Sequence, residues 1–391
     1  MDGIIYLDHA ATTPVRPEVR REMMIYMSDF FGNPSSLLYT LGQMSKKAID
    51  RAREKVAELI GASPEEVYFT SGGSESDNWA IKGTFFAKRE KGGHLITSAI
   101  EHHAVLDTCE QLEKLGGELT VLPVDSNGMV DPDDVKKAIR PDTILISVMH
   151  ANNEIGTVQP IAEIGRIAKE AGVAFHVDAV QTVGHYPVDV DAMNCDLLSL
   201  SAHKLYGPKG VGAMYMRKGT RVLPLIHGGG QERKRRAGTE NVAGIVGLGK
   251  AAELAGADLD KTIERESALR DALRERLEAD IPDLHLNGHP TQRLPNNLNI
   301  SFAGVEGEAI LLRLDREGIC ASTGSACTTG SLEPSHVLMA IGLKHEQTHG
   351  SVRLSFGRSN LPAHVDFVAK VMEKIVNQLR EISPTYVPGE F

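Results

Sequence analysis

Between residues 67 and 216 the chain alternates short apolar runs with amphipathic stretches, and few folds accommodate that rhythm. Residues 67–70, 94–98, 119–124, 143–149, 173–178, 196–201 and 211–216 read as seven strands, each too short to be a helix. Helical patterns, such as 161–171, fit between most of them. The alternation predicts an α/β fold, a mostly parallel sheet covered by helices on both faces. Ligands in such a sheet sit beyond the carboxyl ends of the strands. Ser74, His102, Asn153, Asp178 and His203 all fall there.

Around Ala257 the pattern changes. A helical stretch at 261–279 has the spacing of a connector, followed by strands near 297–302 and 351–356. Helices are expected near 306–317, 334–341 and 362–382, making a smaller α/β domain that the N-terminal segment joins. The expected division is 15–257 for the large domain, with 1–14 and 258–391 forming the small one. A chain of 391 residues can bury both cores. The net charge of -10 argues against direct binding of nucleic acid. No apolar run is long enough to span a membrane, and the first residues lack the pattern of a signal peptide. Four cysteines are too sparse for a disulfide framework, so a reducing cytoplasm is the expected home.

Several groups carry chemistry. Lys204 stands at the end of the apolar run 197–200, after Ser201 and His203 and before a Gly-Pro turn. A rigidly delivered amine can form a Schiff base; a solvated surface lysine is the alternative. Asp178 ends the preceding strand, where it would pair with a protonated pyridine nitrogen or cap a turn. Gln181, three residues on, would reach a ring substituent. His102 follows another strand and could stack on a flat cofactor and move protons, or cap a helix. Thr70-Ser-Gly-Gly-Ser-Glu-Ser76 offers backbone N–H groups and hydroxyls suited to a phosphate, or a simple N-cap. Thr239 is a further phosphate donor candidate. Arg353, inside a strand, suits bidentate recognition of a carboxylate or a structural ion pair. The basic run 231–236 reads as a solvated loop. Cys327 sits among Gly, Ser, Thr and Ala, which predicts an exposed, mobile thiol, whereas Cys320 reads as a small buried residue. No metal site is expected, since no second cysteine pair is offered for zinc.

Taken together, these residues resemble the NifS/IscS-type cysteine desulfurases, fold-type-I pyridoxal-phosphate enzymes of the class V aminotransferase family. The resemblance runs from Tyr6-Leu-Asp-His-Ala-Ala-Thr-Thr-Pro14 and Gly32-Asn-Pro-Ser-Ser36 through Asn152-Asn-Glu-Ile-Gly156 and Ser201-Ala-His-Lys204. It continues in Arg236-Ala-Gly-Thr-Glu240, Gly324-Ser-Ala-Cys-Thr328 and Ser331-Leu-Glu-Pro-Ser-His336. It implies pyridoxal 5'-phosphate held covalently by Lys204, with Asp178 on the ring nitrogen, Gln181 on the phenolic oxygen and Asn153 assisting. It implies that His102 stacks on the ring, and that Gly73, Ser74, Ser201 and His203 hold the phosphate. Thr239 would reach the phosphate of a neighbouring subunit, which implies a homodimer. Asn33 and Arg353 would take the carboxylate of L-cysteine, and Cys327 would be the nucleophile that becomes a persulfide. The sulfur would pass to an iron–sulfur scaffold or a thiolation protein. Ser74 departs from the threonine more usual in the family but keeps the hydroxyl.

Overall fold

The structure, a computed structural model, describes residues 3–323 and 334–389. In chain order the strands are β1 (Ile5–Tyr6), β2 (Val67–Thr70), β3 (His94–Ser98), β4 (Glu118–Leu122), β5 (Thr143–Ser147) and β6 (Ala174–Asp178). They continue with β7 (Leu197–Ser201), β8 (Gly212–Met216), β9 (Leu284–Leu286), β10 (Asn297–Phe302), β11 (Ile319–Cys320) and β12 (Ser351–Ser355). Seven of them form one sheet in the order β2-β8-β7-β6-β5-β3-β4. Only β8 runs against its neighbours; the other pairings are parallel. Every residue of β3, β5, β6, β7 and β8 is buried, because helices cover both faces. Such strands read as largely apolar runs, which is why these five were visible in the sequence. The polar residues within them satisfy one another. His176 on β6 bonds Ser147 Oγ on β5 at 2.8 Å and Ser199 Oγ on β7 at 2.9 Å.

A second sheet, β12-β10-β9, is antiparallel, and β1 pairs with β11. The two largest apolar cores follow this division. One fills the large sheet; the other gathers Ile5 and Leu7 with Leu298, Ile300, Val352, Leu354 and the helix Pro362–Arg380. The helix between them is longer than the sequence indicated. It spans Val242–Asp280, 39 residues, instead of 261–279. Its start was hidden by Gly244, Gly247 and Gly249, poor helix formers. They are there for close packing: a Cβ on Gly249 would lie 2.5 Å from Ala52 Cα in the helix Thr40–Ile60. Ile245 and Leu248 enter the first core, and Leu269, Leu273 and Leu277 the second.

Two other expectations need correction. The basic run 231–236 is anchored, not simply solvated. Glu232 is buried and takes a two-point fork from Arg53, both contacts 2.7 Å, while accepting from Phe69 N at 2.9 Å. To reach it, Glu232, Arg233 and Lys234 adopt left-handed φ of 43°, 55° and 63°. Cys320 is partly exposed, because β1 and β11 make only a two-stranded ribbon over the second core. Cys327 lies outside the described residues. No helix among the described residues is long and apolar enough to cross a membrane.

Candidate active site

Asp178 and Lys204 meet because β6 and β7 are parallel neighbours. Asp178 lies opposite Ser199, and two residues later β7 ends at Ser201 in the short turn Ala202–Lys204. Lys204 Nζ donates to the carbonyl oxygens of Ala10 at 2.5 Å and Ala11 at 2.9 Å. Gln181 Nε2 donates to the same Ala10 oxygen at 3.1 Å. Asp178 Oδ1 accepts from Val180 N at 2.9 Å. His102 follows β3 as the N-cap of the helix His103–Glu113, its Nδ1 accepting from Ala104 N at 3.0 Å. That bond leaves the ring proton of the neutral imidazole on Nε2. These groups line a cavity of about 390 Å³ together with Asn153, Ser74, His203 and Arg353.

A second cavity of about 470 Å³ shares Gly73, Ser74, Ser201 and His203 with the first. It opens where β2 turns into the helix Gly73–Lys88. The N-cap is Gly72, at φ 154° and ψ −175°, a conformation essentially restricted to glycine. Having no side chain, Gly72 leaves the first N–H groups of the helix without a side-chain cap. His203 Nδ1 lies 3.1 Å from Thr12 Oγ1 at the same opening. Glu75, in the first helical turn, receives Ser71 N at 2.8 Å and Arg236 Nε at 2.8 Å.

Burial dominates the electrostatics. It raises Asp178 above the usual carboxylate range, while the Val180 N–H, His102 and Lys204 pull it back. It lowers His102, against the attraction of Asp178. His203 is pushed down to about 4 by burial and by Lys204 and Lys209. Asp77 is raised by burial and then by the Asp178 charge, and Glu101 is raised to about 8, chiefly by burial. Sequence reasoning missed both carboxyls. Asp77 had a signal: it lies four residues after Gly73, one turn along the helix facing the cavity. Glu101 directly precedes His102, and its Oε1 receives Ser98 Oγ at 2.5 Å and Met149 N at 2.9 Å, tying β3 to the end of β5. The Ala10 and Ala11 carbonyls carried no side-chain signal at all.

The sequence candidates divide accordingly. Gly73, Ser74, His102, Asn153, Asp178, Gln181, Ser201, His203, Lys204 and Arg353 come together around the first cavity. Arg353 is buried, pairs with Asp8 at 2.9 Å and donates to the Asn153 carbonyl at 2.9 Å. Asn33 and Thr239 are exposed and do not line the cavity; the Asn33 side chain accepts from Ser35 N at 2.9 Å.

The donor set fits pyridoxal phosphate. A buried carboxylate facing the cavity matches a protonated ring nitrogen. A helix start without a side-chain cap, flanked by the Ser74 and Ser201 hydroxyls, matches a phosphate dianion. An amine held by two carbonyls between these features matches the aldehyde end.

The class-V aminotransferase model matches residues 5–368. The chain is 61% identical over 387 residues to "Cysteine desulfurase IscS" of Methanosarcina thermophila, covering 99% of this chain and 95% of that protein. It is 59% identical over 380 residues to "Cysteine desulfurase IscS" of Dictyoglomus turgidum, covering 97% and 96% of the two chains. Among solved structures, a "NifS-like protein" superposes with a TM-score of 0.90 at 38% identity, covering 96% of this chain and 100% of the other. "SspA in complex with cysteine" gives 0.80 at 40% identity, covering 90% and 98%. The sheet order, the lysine, aspartate and histidine at its strand ends, and this likeness over nearly the whole length converge: the chain belongs to the class-V aminotransferase family, among its NifS/IscS-type cysteine desulfurases.

Proposed function

We propose that the chain is a pyridoxal-phosphate-dependent cysteine desulfurase that moves the sulfur of L-cysteine onto Cys327 and releases L-alanine. The observation that carries this reading is the convergence of Lys204, Asp178 and His102 on one cavity beside a helix start without a side-chain cap. Lys204 would hold the cofactor covalently, Asp178 its ring nitrogen and Gln181 its phenolic oxygen, with Asn153 beside them. Gly73, Ser74, Ser201 and His203 would hold the phosphate, and Thr239 would reach that of a second copy in a homodimer. When bound, pyridoxal phosphate supplies an electron sink that acidifies the substrate Cα–H.

The residues then do the following. Arg353 orients the substrate carboxylate, and Asn33, outside the cavity, would have to move to join it; Asp8, already paired with Arg353, makes that contact an exchange of one carboxylate for another. Lys204 Nζ takes the Cα proton, positioned by the Ala10 and Ala11 carbonyls. His102, neutral because of burial, holds its proton on Nε2 and shuttles it at the cavity wall. The Cys327 thiolate attacks the substrate sulfur. The C–S bond breaks, an S–S bond forms, and the methyl carbon of alanine takes the proton that the Cys327 thiol gave up. One cysteine and one enzyme thiol thus become one alanine and one persulfide. An iron–sulfur scaffold or a thiolation protein, in the cytoplasm, would then take the sulfur.

Incubating the cofactor-loaded protein with L-cysteine tests this directly. The expected result is alanine in the medium and one added sulfur on the peptide containing Cys327, by mass spectrometry. Pyruvate or a keto acid in place of alanine, or sulfur found only on Cys320, would overturn the reading.

A further inference from the structure

A further concave site lies at the end of the large sheet's strands opposite the candidate active site. Its volume is about 530 Å³, within the range of ligand pockets. It is built where Ala174 opens β6, Asp196 precedes β7, and the turn after β8 begins at Arg217. Asp178 and Lys204 lie at the other end of β6 and β7, about 13 Å away along the strand.

The wall is basic in a chain whose net charge is -10. Lys88, Lys169, Arg217, Lys218 and Arg221 face one carboxylate, Asp196. That carboxylate is engaged, receiving Phe175 N at 3.0 Å. Arg217 is rigid, bonded to Asp191 at 2.7 Å and to the carbonyls of Cys195 at 3.0 Å and Val190 at 2.9 Å. Lys169 reaches Asn194 Oδ1 at 3.1 Å. Lys88, Lys218 and Arg221 make no side-chain hydrogen bond or ion pair among the described residues. Lys88 is only half-exposed, and burial weakens its hold on its proton, opposed by Asp196 and aided by the Lys91 and Arg221 charges.

Helix ends explain part of this charge. Lys88 closes the helix Gly73–Lys88, and Lys169 stands in the last turn of the helix Ile161–Ala171. Each helix C-terminus contributes about half a negative charge. With Asp196, and with Asp191 paired to Arg217, that leaves the wall about two charges positive. A cluster of like charges lining a concavity attracts a counter-anion.

We propose that this cavity binds a polyphosphate, the class that includes inorganic pyrophosphate and nucleoside triphosphates. Such anions concentrate negative charge on adjacent phosphates, which suits cations gathered around one concavity. An extended acidic peptide matches the sign but spreads its charges more widely than the cluster does.

Isothermal titration on protein saturated with pyridoxal phosphate, at about 0.15 M ionic strength, keeps the probes out of the active-site cradle and limits diffuse attraction. The probes are pyrophosphate, ATP and a poly-glutamate peptide. Saturable binding of pyrophosphate or ATP is expected, and Lys88→Gln with Arg221→Gln should weaken it by about tenfold. Lys169→Gln with Lys218→Gln provides an independent pair with the same expected direction. An unchanged melting profile identifies variants that fold. ATP binding far tighter than pyrophosphate makes the site a nucleotide site; similar affinities make the polyphosphate group itself the ligand. No saturable binding at millimolar probe, undiminished affinity in both folded double variants, or tighter binding of poly-glutamate overturns the proposal.

Discussion

At the scale of single residues, the site separates holding from reacting. Lys204→Ala removes the amine between the Ala10 and Ala11 carbonyls, so no borohydride-reducible linkage to cofactor and no alanine formation should remain. A linkage surviving in that variant would move the attachment to Lys209. Asp178→Ala removes the buried carboxylate but leaves the helix start at Gly73 intact. Cofactor should therefore stay bound while exchange of the substrate Cα proton, followed by NMR, slows by about 100-fold or more. Glu101 gives a pH-dependent test. Its folded value is about 8 against an ordinary 4.5, so between those values the folded chain holds a proton that the unfolded chain has lost. Its contribution is full below 4.5 and is lost as pH rises through 8. Glu101→Gln cannot ionise, so its melting temperature should fall less than that of the parent between pH 6 and 9; parallel curves would refute the assignment. The candidate side chains that meet at the cavity were legible because several stand at or soon after strand ends, as Asp178 ends β6. Glu101 and Asp77 were not, since their ionisation depends on burial beside Asp178, which sequence neighbours do not reveal.

At the scale of elements, the cradle depends on how closely backbones approach. A Cβ on Gly212 would lie 2.6 Å from Leu200 O and 2.7 Å from Gly72 Cα, both main-chain atoms that cannot swing aside. Gly212→Ala should therefore press β8 away from β7 and tilt the start of the helix Gly73–Lys88. The expected cost is ~1–3 kcal/mol of stability, with weaker retention of cofactor on gel filtration. Unchanged retention would show that the cradle tolerates the shift. Strands were the most legible elements, because burial makes most of them predominantly apolar. The start of Val242–Asp280 was the least, because its glycines serve packing on Ala52 at the expense of helix propensity. The left-handed stretch Glu232–Lys234 was invisible for a related reason. Nothing local favours it; the Arg53 fork some 180 positions earlier imposes it.

At the scale of the whole molecule, pH acts through buried histidines. Burial lowers His9 to about 3, His150 to about 4 and His176 to about 3, each from 6.5. His94, His102, His203 and His285 are lowered as well. Below 6.5 the unfolded chain binds protons that the folded chain refuses, so this stability is present above 6.5 and drains as pH falls. The raised Asp77, Asp178 and Glu101 and the raised His185 act oppositely, but the lowered rings outnumber them. The urea midpoint should fall steadily from pH 6.5 to 4, and a rising midpoint would refute that balance. The N-terminal thread adds a consequence in time. Ile5 and Tyr6 pair with Ile319 and Cys320, and Ala10 N reaches Ser355 Oγ across a separation of 345 residues. A ribosome adding about 5–20 residues each second needs roughly 20–70 s to cover that separation. Through that interval the large sheet can form, yet Ala10 and Ala11 have no second sheet to fix them against Lys204. The nascent enzyme is thus expected to stay inert until its last strand is made.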